Sequence, residues 1–248
     1  MTTEGKRPNP KGIYFDSALL HDPVYDYVCW LDVMGTGNQM LRSLPASANF
    51  IFKLQCAVLE ASEEIGVETG VRLYPLMDGI YITSPRRGPL QAILNQTMCR
   101  VAITFLRENV PFHQFLVRGA IAFGPLYHGN DLNPKTSYVM ARHQLVRDSI
   151  LMGLPMAQAY REEGSAPPFG LAVDSSARAF APDGDEPFRF IWLNWFRYSD
   201  PKIDPAQLLA HLEQYFAWQE AHSTVTGYGP ERIAHHRKLA REYFTLSD

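Results

Sequence analysis

The 248-residue chain has few of the features that mark secreted, membrane or nucleic-acid-binding proteins. It carries three cysteines, Cys29, Cys56 and Cys99, an odd number with no CxxC spacing. That excludes a disulfide framework and a cysteine-ligated metal site, and reads as reduced core residues of a cytosolic protein. No charge of one sign dominates: the net charge is -3. There is thus no general electrostatic case for stable binding to nucleic acid or an anionic membrane. No apolar run approaches the roughly 20 residues of a membrane helix. The N-terminal stretch MTTEGKRPNPKG lacks the apolar centre of a signal peptide. Internal repeats and low-complexity segments are also lacking. These absences together predict a cytoplasmic protein.

What is present is a chain that is 46% hydrophobic, enough for one large domain or a domain with an extension. Residues 1–22 read as an irregular lead-in, 23–200 as the main domain and 201–248 as a helical extension packed on it.

The run YDYVCWLDV is β-prone and almost continuously apolar, as a strand buried on both faces would be. SANFIFKLQCAVLEASEEIG has helical spacing, with Phe50, Leu54, Val58 and Ala61 along one stripe and Gly66 as its stop. VRLYPLMDGIYITS predicts two short strands turning at Asp78-Gly79. A second long helix is predicted in PLQAILNQTMCRVAITFLREN, then a strand in FHQFLVRGAIAFGPLYHG that closes at Gly124. The stretch from Ser137 to Gly164 reads as largely helical, with an interruption at Gly153-Leu154-Pro155. FGLAVD and FRFIWLNWF predict later strands, and two terminal helices follow. The order is that of an α+β chain with a ferredoxin-like βαββαβ core and C-terminal additions.

Asp32 ends the first apolar strand, and Gly35 and Gly37 follow it. The βαββαβ plan sets that strand end beside the central hairpin and makes Asp32 and Asp78 neighbours. Paired carboxylates repel unless a cation lies between them, and hard oxygen donors suit Mg²⁺ or Mn²⁺. Mg²⁺ held by one or two carboxylates keeps room for phosphate oxygens, which points to nucleoside triphosphate chemistry. Each Asp alone is more commonly a turn residue or a cap.

In this frame the sequence resembles the class III nucleotidyl cyclases. WLDVMGTG is similar to their first metal motif and LMDGIYI to their second. VRGAIAFG, from Val117 to Gly124, is similar to their RVGIHTG strand, and GLPMAQAYREE, from Gly153 to Glu163, to their GNTVNVASRME segment. The resemblance covers about Tyr25 to Val173 and makes 23–200 the catalytic domain. It implies metal ligation by Asp32 and Asp78, with a two-metal site. It also implies triphosphate contacts from Gly35, Thr36 and Arg118, and catalysis by Arg161, a fixed guanidinium suited to developing charge. Taken singly, Arg118 reads equally as a strand-end salt bridge and Arg161 as an exposed helix charge. The family shares its sites between two subunits, so the resemblance implies a homodimer.

The departures bear on the base. The family's asparagine before the catalytic arginine falls on Ala157, and its purine-reading pair falls on Tyr74 and Ile150. An intact metal pair without purine readers resembles the standalone pyrimidine cyclases of bacterial Pycsar anti-phage systems. That resemblance implies UTP, or CTP, as substrate, a cyclic pyrimidine monophosphate as messenger and a downstream effector that senses it. Tyr74 is then the base-recognition residue or a packing aromatic. The alternatives are a non-catalytic nucleotide-binding module with this fold and a purine cyclase.

Overall fold

The computed structural model describes residues 15–66 and 69–245. Most of the predicted 1–22 lead-in lies outside the described residues; Ser17–Leu19 forms a single 3₁₀ turn.

Strand β1 (Val24–Val33) is followed by the short α1 (Thr36–Met40) and the long α2 (Leu44–Ile65). Then come the hairpin β2 (Arg72–Leu76) and β3 (Gly79–Ser84), helix α3 (Arg87–Arg107) and β4 (Val117–His128). Short helices α4 (Tyr138–Ala141) and α5 (Gln144–Asp148) lead to β5 (Leu151–Gly153) and α6 (Leu154–Glu162). Strand β6 (Leu171–Val173), α7 (Ser175–Ala179), α8 (Pro205–Ala221), α9 (Ser223–Thr226) and α10 (Pro230–Thr245) complete the described chain.

The sheet order is β2-β3-β1-β4-β5, with β6 parallel to β4. Pairs β2–β3, β3–β1 and β1–β4 are antiparallel. Two helical crossovers that interleave β1 and β3 in this way define the ferredoxin-like core. Because β1 is central it must bury both faces, and only Asp26 and Asp32 interrupt its apolar run.

The two faces are covered differently. Tyr27, Cys29, Leu31 and Val33 point into the main core with α2, α3, α8 and α10. Val28 and Trp30 point the other way, into a smaller cluster with Tyr74, Tyr81 and Ala159 of α6. Side-chain alternation puts Asp26 and Asp32 on this second face. Ser43 caps α2 by accepting from the Ala46 N–H, with Pro45 in the first turn, and Asp204 caps α8 in the same way through Ala206.

Three local expectations change. FRFIWLNWF forms no named strand: one bridge, Ala172 to Trp192, and the 3₁₀ turn Trp195–Arg197 replace it. Its aromatics serve the core instead, with the Trp195 indole N–H donating to the Phe169 carbonyl at 2.6 Å. The stretch expected to be largely helical contains β5, because Leu151 and Gly153 find the free edge of β4. Strand β4 runs past Gly124 to His128, which proves important below. Among the described residues, no helix is long and apolar enough to cross a membrane.

Candidate active site

In the ladder, Asp32 lies opposite Gly79 of β3 on one side and Arg118 of β4 on the other. The hairpin turn is Met77-Asp78, one residue earlier than the expected Asp-Gly turn, since Leu76 pairs with Gly79. Gly79 is needed within the strand instead. A Cβ there would lie 2.4 Å from the Trp30 ring and 2.5 Å from the Leu31 carbonyl. Displacing the turn leaves Met77 at φ 54, a left-handed conformation that costs a side-chain-bearing residue energy. It also brings Asp78 next to Asp32.

The pairing is electrostatically uncompensated. Burial, then the carboxylates of Asp78 and Glu163, push the Asp32 carboxyl up to about 7. Arg118 and a backbone hydrogen bond from Val33 pull it the other way and do not offset them. Among the described residues, no group of three or more His, Cys, Asp or Glu forms a metal cage. The donor set is two carboxylates, which fits a Mg²⁺ or Mn²⁺ ion that takes its remaining oxygens from water and phosphate.

Arg118 is not free at the strand end. It forms an ion pair with Glu163, with the two side chains 16% and 12% exposed. It also lies 3.5 Å from the Gly164 carbonyl and 3.4 Å from His236 Nε2. A guanidinium only donates, so His236 Nε2 must accept and the neutral ring carries its proton on Nδ1. Nδ1–H then donates to the Tyr228 hydroxyl, its other partner. Burial, then the positive charges of Arg118 and Arg232 and the neighbouring His235, push His236 down to about 3, so it is neutral at ordinary pH.

Beyond Asp32 the chain bends at Gly35, φ 79, and the Thr36 hydroxyl donates to the Val33 carbonyl at 2.6 Å. Gly35 and Thr36 thus form the bend beside the carboxylates, with the Thr36 hydroxyl committed to the backbone. Arg161 is exposed on α6, its Nε donating to the Ala157 carbonyl at 3.2 Å. It is not among the charges that act on Asp32 in the same chain.

Tyr74 departs from the base-recognition geometry. It is 8% exposed, and its hydroxyl lies 2.6 Å from His128 Nδ1. His128 Nε2 in turn lies 2.9 Å from Asp26 Oδ2. An ionised Asp26 accepts from Nε2–H, so the neutral ring accepts from the Tyr74 hydroxyl at Nδ1. The phenol is used inside its own chain and packs against the second-face cluster.

Sequence reasoning therefore located the carboxylate pair but missed Glu163, His236 and the Tyr74–His128–Asp26 chain. Glu163 stood inside a quoted motif with no assigned role. His236 had only the HH pair as a signal, and adjacent helix positions do not share a face.

No family model matches the chain, and no curated protein matches it. Among solved structures, it is similar to the dimeric guanylyl cyclase domain of the RhoGC fusion protein from the aquatic fungus Blastocladiella emersonii. The identity is 16%, over 65% of this chain and 85% of that one, with a TM-score of 0.44. For a bacterial light-regulated adenylyl cyclase the identity is 10%, over 58% and 71%, with a TM-score of 0.44. An adenylate/guanylate cyclase/hydrolase from Silicibacter pomeroyi shows 13% identity over 60% and 74%, with a TM-score of 0.43. The fold itself stands on the sheet order and register.

Proposed function

We infer that the chain is a metal-dependent nucleotidyl cyclase that converts a pyrimidine nucleoside triphosphate, UTP ahead of CTP, to the 3′,5′-cyclic monophosphate and pyrophosphate. The observation that carries this is the juxtaposition of Asp32 and Asp78 at the β1 end, with Asp32 pushed up to about 7 by burial and by its acidic neighbours. Such a pair is expensive unless a cation and its phosphates complete it. Bound Mg²⁺ or Mn²⁺ would supply positive charge to the triphosphate and acidify the attacking hydroxyl. The 3′-oxygen bonds to the α-phosphorus, its proton leaves to solvent, and the bond to the β-phosphate oxygen breaks.

Arg118 is the guanidinium nearest the carboxylates and receives the triphosphate, exchanging Glu163 for a phosphate oxygen. The bend at Gly35 and Thr36 brings backbone close to the same oxygens. Arg161 stands away from Asp32 in its own chain, which suits its supply by a second copy in a homodimer with shared sites. Ala157, Ile150 and the internally bonded Tyr74 leave no purine-reading pair, which supports a pyrimidine. With Tyr74 bonded to His128, its part is to set pocket width rather than to read the base. The cyclic product would act as a messenger to a downstream effector, an anti-phage role resting on the Pycsar resemblance. The observations favouring the second reading, a non-catalytic nucleotide-binding module, are Ala157 and the Arg118–Glu163 pair.

The test is incubation with each of the four nucleoside triphosphates and Mn²⁺, with products identified by mass spectrometry. A cyclic pyrimidine monophosphate is expected, lost by about 100-fold or more in Asp78→Ala. A mixture of Asp32→Ala and Arg161→Ala chains should regain part of the activity if sites are shared. No product from any triphosphate, with the protein folded, supports the non-catalytic module; a cyclic purine product from ATP or GTP alone overturns the pyrimidine assignment.

A further inference from the structure

On the far side of the bend after β1, a second concavity lies between that bend and the C-terminal helices. It is an open cleft of about 680 Å³, and its walls include Phe112, Trp218 and Tyr228. Two buried polar atoms of its lining residues have no partner. Gln219, 5% exposed, has an unbonded Oε1, and Gln39 has an unbonded Nε2. One wants a donor and the other an acceptor. Buried polar groups without partners are uncommon in native folds and call for a ligand or water.

The rim is cationic. The Arg232 guanidinium lies 5.8 Å from the Tyr228 ring centre. Arg42 lies against Gly227, where a Cβ would come 2.5 Å from its Nη2. Among the described residues, no carboxylate forms an ion pair with either arginine. Aromatic walls, one donor, one acceptor and two unpaired guanidinium groups at the mouth match a planar heterocycle with an acceptor–donor edge and an anionic tail. Every nucleobase carries such an edge.

We propose that this cleft is a second nucleotide site. It takes a nucleoside monophosphate with the base against the aromatic walls, the base edge on Gln39 and Gln219, and the phosphate on Arg42 and Arg232. Occupancy reaches the carboxylate site by contact. Tyr228 bonds His236, His236 bonds Arg118, and the cleft is also lined by Gly35 and Thr36 of the bend after Asp32. The cleft is distinct from the Asp32–Asp78 pair and does not depend on the cyclase reading.

The experiment is calorimetric binding to the full chain without metal, with UMP, CMP, AMP and GMP, their nucleosides, and inorganic phosphate as probes. At least one monophosphate should bind, and its nucleoside about tenfold more weakly. Gln219→Leu and Arg232→Ala should each weaken binding by about tenfold, whereas Asp78→Ala should leave it unchanged. Trp218→Phe, which keeps an aromatic wall, should retain binding and guards against a folding artefact in the other variants. The proposal is overturned if no monophosphate binds at about 1 mM, or if phosphate alone binds as tightly as the nucleotides. It is equally overturned if only Asp78→Ala abolishes binding, or if Gln219→Leu raises thermal stability without changing it. In that last case the cleft holds water.

Discussion

Asp26 and Asp32 lie on the same strand and the same face, yet they have opposite surroundings. Asp26 is 6% exposed and is answered by a neutral donor, His128, itself bonded to Tyr74. Asp32 is less buried and faces two further carboxylates, Asp78 and Glu163, with Arg118 already paired to one of them. A carboxylate satisfied by its own chain holds structure together. One surrounded by its own kind is costly to ionise unless something arrives from outside. The difference between two like residues on one strand thus separates a strut from a binding site.

The largest expected effect would break the structural half of that comparison. Asp26→Ala strands His128 and loosens Tyr74, so it should lower unfolding free energy by about 3 kcal/mol in urea titrations. His128→Gln should cost less because an amide can still bridge. If Asp26→Ala were neutral, the bonded chain would be no strut.

A smaller effect sharpens the other half. The folded Asp32 carboxyl titrates near 7, above its unfolded value, so the native state holds a proton that the unfolded chain has released. Stability at this position is present at low pH and falls as pH rises from about 4 to 7. Asp32→Asn removes the titration and should stabilise the metal-free protein by about 2 kcal/mol at pH 8, allowing for solvent screening, and by little at pH 4. Mn²⁺ should stabilise the parent at pH 8 and not the variant. Thermal melts at the two pH values check both, and equal stabilisation at pH 4 and 8 would deny the repulsion.

The smallest effect concerns His236, with the sign reversed. Its folded value, about 3, lies below the unfolded one, so stability is lost as pH falls from about 6.5. Between pH 7 and 5.5 the loss should be about 1 kcal/mol. His236→Gln keeps a hydrogen-bonding side chain and should flatten that part of the pH profile, measured by chemical denaturation. An unchanged slope would assign the acid sensitivity to another group.

The sequence displayed Asp32 and Asp78 because each signal is local: a polar residue closing an apolar strand, and an acid at a hairpin. The βαββαβ order then joined them, since alternation and helix periodicity fix a sheet of this kind. The turn slipped by one residue because the Trp30 ring, across the ladder, claims the space at Gly79, and no local rule contains that contact. The failure at FRFIWLNWF has the same origin: β-prone aromatics were taken up by the core before they could find a strand partner. His128 to Asp26 and Arg118 to His236 span 102 and 118 residues. Such partners leave no periodic trace, so neither the Tyr74 bond nor the setting of Arg118 was legible.

The place of His236 on α10 has a consequence for the order in which the protein becomes competent. Synthesis proceeds from the N-terminus, so β1, the hairpin and β4 leave the ribosome well before α10 does. Until that helix docks, Arg118 lacks one of the contacts that aim it, and the nascent chain holds a carboxylate pair beside an arginine without its final orientation. The last helix made therefore works as a seal of completion, and a ribosome-stalled chain would carry the sheet without a finished site.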